Sequence, residues 1–300
     1  MEWQKPLTAF PDQLSPVFVR DLRQILRSPL IVVSFLILQI TVLAITGLEL
    51  ALLRFTDGSI SAPFLSAALS SFLTIGFGVA LPLTSLGALQ PEIGTGRNIE
   101  LLLAASLSRW KVVRGKWFTA TAMSLLLLIS ITPYLTVRYF LGSVDLIGAI
   151  EGFFSNLTIN AVMNAIVIGA SGFRSYIARG LSILFFGAMF SISISVSLAS
   201  TSGPSPVQKL VAVIAGAVIL VLAMQVGRAR LKLFSTPENP PSTSGIFVIA
   251  LVFPFLQGIG LASGGVIALM ILSLLWLALA FLVDRPHRPS YRYRTSSSPA

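Results

Sequence analysis

The chain is a succession of long apolar runs separated by short polar segments. The runs extend from Leu30 to Leu53, Pro63 to Leu89, Trp117 to Phe140, Phe153 to Gly169, Leu181 to Ala199, Leu210 to Val226, Ile246 to Leu261 and Val266 to Val283. Each is long enough, with tilt and interfacial ends, to cross about 30 Å of hydrocarbon. In lipid each must be helical, because only a helix closes its backbone hydrogen bonds within one segment. The pattern therefore predicts an all-α, polytopic membrane protein with about eight transmembrane helices. Gly258, Gly260, Gly264 and Gly265, around the junction of the last two runs, mark either a tight hairpin turn or a re-entrant break. Pro82, Pro133 and Pro254 interrupt runs and predict kinks.

The polar segments divide the chain further. Residues 1–29 form an N-terminal segment in which Leu14 to Arg27 reads as an amphipathic helix lying in the membrane interface. Leu14, Val17, Phe18, Leu22 and Ile25 share one side, and Arg20, Arg23 and Arg27 the other. Residues 30–234 hold six spans, interrupted at 91–116 by the one long charged insert, which contains Glu92, Arg97, Glu100, Arg109, Lys111, Arg114 and Lys116. Within the insert, Ile99, Leu101, Leu102 and Leu103 give a short helix an apolar surface, and Ser106 or Ser108 can cap a second helix running through Trp110 into the third span. A Pro/Ser linker follows at 235–245, then a two-span hairpin at 246–283 and a basic tail at 284–300.

Composition agrees with the pattern. Hydrophobic residues make up 55% of the chain and charged residues 11%, against about 25% charged in an average soluble domain. The net charge of +10 is explained by its distribution. With both termini cytoplasmic, all of the 21 Lys and Arg residues except Arg54, Arg138 and Lys209 fall on the cytoplasmic side, as the positive-inside rule demands. Nucleic acid is not needed to account for the basic balance. The first 29 residues contain no apolar signal core, so the first span is expected to serve as its own insertion signal. The expected location is the plasma membrane, as a multi-pass protein.

Little in the sequence offers chemistry. Without cysteine, thiol catalysis and thiolate metal sites are excluded, and one histidine, His287, leaves no imidazole cluster. No phosphate-cradling G-x-x-x-x-G-K-[ST] loop occurs. No metal or cofactor is expected on this chain. Among intramembrane polar residues, Asn156, Asn160 and Asn164 recur every fourth position and form a stripe that must face inward, as hydrogen-bonding glue or as the lining of a passage. Ser191, Ser193, Ser195 and Ser197 spread over two faces of the fifth span and permit close packing. Glu49 is the only carboxylate clearly inside a run, near its outer end with Arg54 five residues on. A single carboxylate supplies no acid/base pair.

The insert resembles the cytoplasmic coupling region of permease subunits of type-2 ABC exporters. The family tends to show an acidic residue, Gly-Thr-Leu-Glu, a Leu run, Thr-Pro-Leu-Ser and a Gly-Lys at the mouth of the next span. The corresponding positions here are Glu92, Arg97-Asn98-Ile99-Glu100, Leu101-Leu102-Leu103, Ala105-Ser106-Leu107-Ser108 and Gly115-Lys116, with Asn98 and Ser106 standing where the family has Thr and Pro. Ser15 to Arg23 is similar to the family's opening Asn-Pro-Val and basic residues, and Leu141-Gly142-Ser143-Val144-Asp145 to its Leu-Gly-Gly-Val-Asp. The resemblance implies a permease that expels a substrate, typically lipid-linked, polysaccharide or drug-like, driven by ATP hydrolysed on a partner ATPase subunit. It implies pairing with a second permease copy or paralogue, and contact with the ATPase through Glu92, Arg97, Glu100, Leu101, Leu102 and Lys116. The family core has six spans, so the hairpin after Gly245 is additional. The alternative is a non-transporting membrane scaffold or assembly factor.

Overall fold

A side chain that leaves water for lipid gains nothing more by touching another apolar side chain, so helices inside a membrane are held together by close packing and by polar groups that find partners. Both kinds of contact define this fold. The computed structural model of the chain describes residues 22, 29–55, 61–90, 109–140, 145–199, 205–231 and 242–282. Among them every regular element is a helix, and seven helices are long and apolar enough to cross a membrane.

We number them α1 (Pro29–Phe55), α2 (61–83), α3 (Arg109–Phe140), α4 (Leu146–Ala170), α5 (Tyr176–Leu198) and α6 (Pro206–Arg230). The seventh, Thr243–Leu282, is two helices that meet at Gly265, where φ 63° and ψ −151° leave the helical region. That backbone conformation is open essentially to glycine alone. Phe253 stacks on Trp276 at 6.1 Å, Gln257 Nε2 donates to Ser273 Oγ at 3.2 Å, and Gly260 lies against Ala268 and Leu269. One sequence number rises as the other falls, so α7 (243–264) and α8 (266–282) form an antiparallel hairpin. Their lengths, about 33 and 25 Å at 1.5 Å per residue, are comparable to the hydrocarbon thickness.

Other pairs fix the direction of the remaining helices. Gln39 Nε2 donates to Ser130 Oγ at 2.6 Å and Arg138 reaches Glu49, so α1 and α3 run parallel. Phe77 meets Asn160 and Leu89 meets Ser171, so α2 runs with α4. Glu151 pairs with Lys209 and Gly169 packs on Ala223, so α4 runs with α6. The bundle alternates direction at each step. Glu49, Asp145 and Glu151, the only acids among the described residues, share one end, which we call the acidic end; Arg138 and Lys209 there are each paired with one of them. The opposite, basic end carries Arg109, Lys111, Arg114, Lys116, Arg174, Arg179, Arg228 and Arg230.

The core lies around α4 and α6, whose most apolar windows are 56% and 67% buried, against 17% for α1 and for the hairpin. Val112, Ile166, Phe186, Val218, Leu222 and Phe253 pack there. A second cluster, with Leu38, Val42, Leu69, Phe77, Leu127 and Ile131, joins α1, α2 and α3. Helix ends extend past the apolar runs where the sequence supplies caps. Asp145 accepts from Gly148 N at 3.1 Å and starts α4 before Phe153. A Ser205/Gln208 capping box with Pro206 starts α6 before Leu210. Just before Pro133 a turn over Ser130 and Ile131 interrupts the helix and splits α3 into Arg109–Ile129 and Thr132–Phe140. At Pro254, by contrast, the dihedrals stay helical.

Candidate functional site

Three polar or tightly packed nodes tie the helices together, one near each end and one between. At the acidic end Glu49 and Arg138 are almost fully enclosed, with side-chain exposures of 1% and 3%. Arg138 Nε donates to Glu49 Oε2 at 2.6 Å and Nη2 donates to Oε1 at 3.2 Å, the two-pronged geometry that suits guanidinium and carboxylate. Nη2 also donates to Ser66 Oγ at 2.8 Å. One ion pair thus joins α1, α2 and α3. The sequence had offered Arg54 as the cation near Glu49 and had placed Arg138 on the outer side of the membrane without a partner. The structure pairs Glu49 with Arg138 of another helix, and both are buried.

Midway along, α2 contains a π-helical stretch, Gly76–Ala80. Leu81 N–H donates to Gly76 O, five residues back, so the next bond in this register would run from residue 82 to Phe77. Residue 82 is Pro and has no N–H. Asn160 Nδ2 on α4 supplies the missing donor to Phe77 O at 2.7 Å, and Asn164 Nδ2 donates to Asn160 Oδ1 at 2.8 Å. Asn156 Nδ2 bonds Gly152 O at 2.9 Å within its own helix, and its Oδ1 is buried without a partner among the described residues. The asparagine stripe faces inward, and Asn160 acts as interhelical glue for a carbonyl that a proline orphaned. We expect Asn160→Leu to cost about 1–2 kcal/mol in reversible unfolding. Adding Pro82→Ala, which restores an N–H in α2, should recover part of that loss; no recovery would separate the asparagine from the proline.

At the basic end α3, α4 and α6 converge with the turn that follows α2. A Cβ on Gly227 of α6 would lie 3.2 Å from Gly169 Cα of α4, 3.4 Å from Leu89 Cδ1 and 3.7 Å from Val113 Cγ1 of α3. The turn after α2 is pinned here as well: Leu89 N–H donates to Ser171 Oγ at 3.2 Å, and Gln90 Nε2 donates to Ser171 O at 2.6 Å. Arg109, where α3 opens directly after Ser108, is buried. Gln90 and Arg109, the described residues on either side of 91–108, are thus both tied into the bundle, the first through Ser171 and the second by burial at the start of α3.

Glu92, Arg97, Glu100, Leu101 and Leu102 lie outside the described residues, as do Arg20, Arg23 and Arg27. Lys116 is half-buried in the second turn of α3. In α5, Ser193 and Ser197 are buried whereas Ser191 and Ser195 are exposed, the two-faced arrangement read from their spacing. Sequence reasoning missed Arg138, Ser66, Ser171 and the Gly169–Gly227 contact. A lone Arg in the last turn of an apolar run was the available signal for the first.

The fold and these nodes define a multi-pass helical membrane protein whose intramembrane polar groups bind its helices to one another. No family model matches the chain, and no curated protein or solved structure matches it.

Proposed function

We propose that this chain is the membrane-spanning permease subunit of an ATP-driven transporter resembling the type-2 ABC exporters, seated in the plasma membrane with both termini and the basic end cytoplasmic. It works with a separate ATPase subunit and a second permease copy or paralogue. The observation that supports the reading is that both described flanks of 91–108 are held in the bundle: Gln90 bonds Ser171 O at the end of α4, and Arg109 is buried at the start of α3. A push delivered between those two residues would reach α3 and α4 together, as a coupling element requires. The charge segregation between the two ends supports the orientation.

The test is co-purification and transport. The chain should bring down an ATPase subunit, and Glu100→Lys or Leu102→Lys should reduce ATP-driven transport at least tenfold, about 1.4 kcal/mol or more of lost coupling, while the chain still inserts and assembles. Wild-type chain recovered from its native membrane without any ATPase would refute the proposal.

A further inference from the structure

At the basic end, the loop between α4 and α5 collects cations and no acid. Arg179 is 4% exposed; its Nε donates to Phe173 O at 2.7 Å and its Nη2 to Arg174 O at 3.3 Å, and its guanidinium stands 4.6 Å from the Tyr176 ring centre. Its role is to hold the loop. Arg230, at the end of α6, lays its guanidinium 4.4 Å over the Phe173 ring, with its stem against Gly172. Stacking on an aromatic face fixes the position of the charge and leaves the planar donor edge free to bond. Arg174, one residue beyond Phe173, is exposed, as is Arg230. Neither forms an ion pair with a described residue, and the described acids are all at the other end.

Two residues after Arg174 α5 begins, and it presents an apolar stripe. Ile177, Leu181 and Leu184 follow one another at helical spacing and are 75%, 63% and 71% exposed, with Tyr176 at the head of the stripe 77% exposed. A stripe that open on a membrane-spanning helix is covered by acyl chains. Its Tyr176 end follows Arg174 by two residues, and neither Arg174 nor Arg230 is ion-paired among the described residues.

We propose that Arg174 and Arg230 bind the phosphate of an anionic phospholipid whose acyl chains lie along Ile177, Leu181 and Leu184. The fixed guanidinium of Arg230 recognises the phosphate with two donors. Arg174 adds the second charge, and the exposed stripe distinguishes a lipid from a free anion. The site clamps the α4–α5 loop and the end of α6 to the cytoplasmic leaflet, beside Gln90, which bonds Ser171 O in that loop. Its chemistry is independent of whether the chain transports anything.

The full-length chain is reconstituted in nanodiscs of phosphatidylcholine with or without phosphatidylglycerol, and lipid retention is read by native mass spectrometry after release. Phosphatidylglycerol should be retained in preference to phosphatidylcholine. In Arg174→Ala/Arg230→Ala that preference should fall by roughly tenfold or more, because the direct charge-assisted hydrogen bonds to the phosphate are lost. Lys111→Ala/Arg114→Ala removes the same charge from exposed positions at the same end and should leave the preference unchanged. Equal retention of the two lipids by the unaltered chain, or equal loss in both double variants, overturns the assignment. So does protection by millimolar inorganic phosphate in pure phosphatidylcholine equal to that given by phosphatidylglycerol, since the ligand would then be the free anion.

Discussion

Glu49→Leu should cost about 3–5 kcal/mol of stability, because it leaves a guanidinium enclosed among three helices without its counter-charge. A carboxylic acid stranded in an apolar site can escape its charge by binding a proton, but a guanidinium cannot. Arg138→Leu is therefore expected to be the milder single change. The double variant Glu49→Leu/Arg138→Leu removes both charges together and should cost less than either, since apolar replacement of a buried ion pair is often neutral or stabilising. Reversible unfolding of the four chains in mixed micelles closes the cycle. A double variant as damaged as the sum of the singles would show that the 2.6 Å contact between Arg138 and Glu49 contributes no coupling. Ser66 sharpens the test: its hydroxyl accepts from Arg138 Nη2, so Ser66→Ala should weaken the wild-type chain by about 1 kcal/mol and the double variant hardly at all.

Much of the fold was legible because lipid imposes so narrow a choice on the chain. An apolar run of about 20 residues has to be a helix, and each run marked in the sequence lies largely within a helix. The ends were harder, since a hydropathy window stops where polarity begins while a helix stops where its caps are. Asp145 and the Ser205/Gln208 box carry α4 and α6 past the first polar residues. The hairpin after Gly245 was readable, but only the backbone at Gly265 and the Phe253–Trp276 stack decide between a turn and a re-entrant break. The asparagine stripe could be assigned to the interior from its spacing alone. Its partner could not, because the Phe77 carbonyl is freed by Pro82 and reached only through the register of α2 against α4. Glu49 was recognisable as unusual for a comparable reason, yet nothing in the pattern says that α1 lies beside α3. The permease reading depends on Glu92 to Lys116, most of which lies outside the described residues, so its structural support comes from the two anchored flanks.

Among the described glycines, Gly169 is the one whose replacement should do the greatest harm, and the reason is not visible in the sequence. A Cβ added there would run into Ala223 O, whereas one added to Gly187 would meet nothing within 4 Å. Relief of the first clash requires α4 and α6, the two most buried helices, to separate by over 1 Å where Gly227 already touches Gly169. Gly169→Ala is thus expected to lose about 3 kcal/mol, the upper part of the usual overpacking range, while Gly187→Ala should be neutral or gain up to about 1 kcal/mol through helix propensity. Equal unfolding midpoints for the two variants would refute the close crossing. The chemistry of the obstacle yields a stricter test. Because the clash is with the main-chain oxygen of Ala223 and not with its methyl group, adding Ala223→Gly to Gly169→Ala should not restore stability. A rescue would mean that the helices touch through side chains and that the backbone-to-backbone contact of α4 with α6 at the basic end is absent.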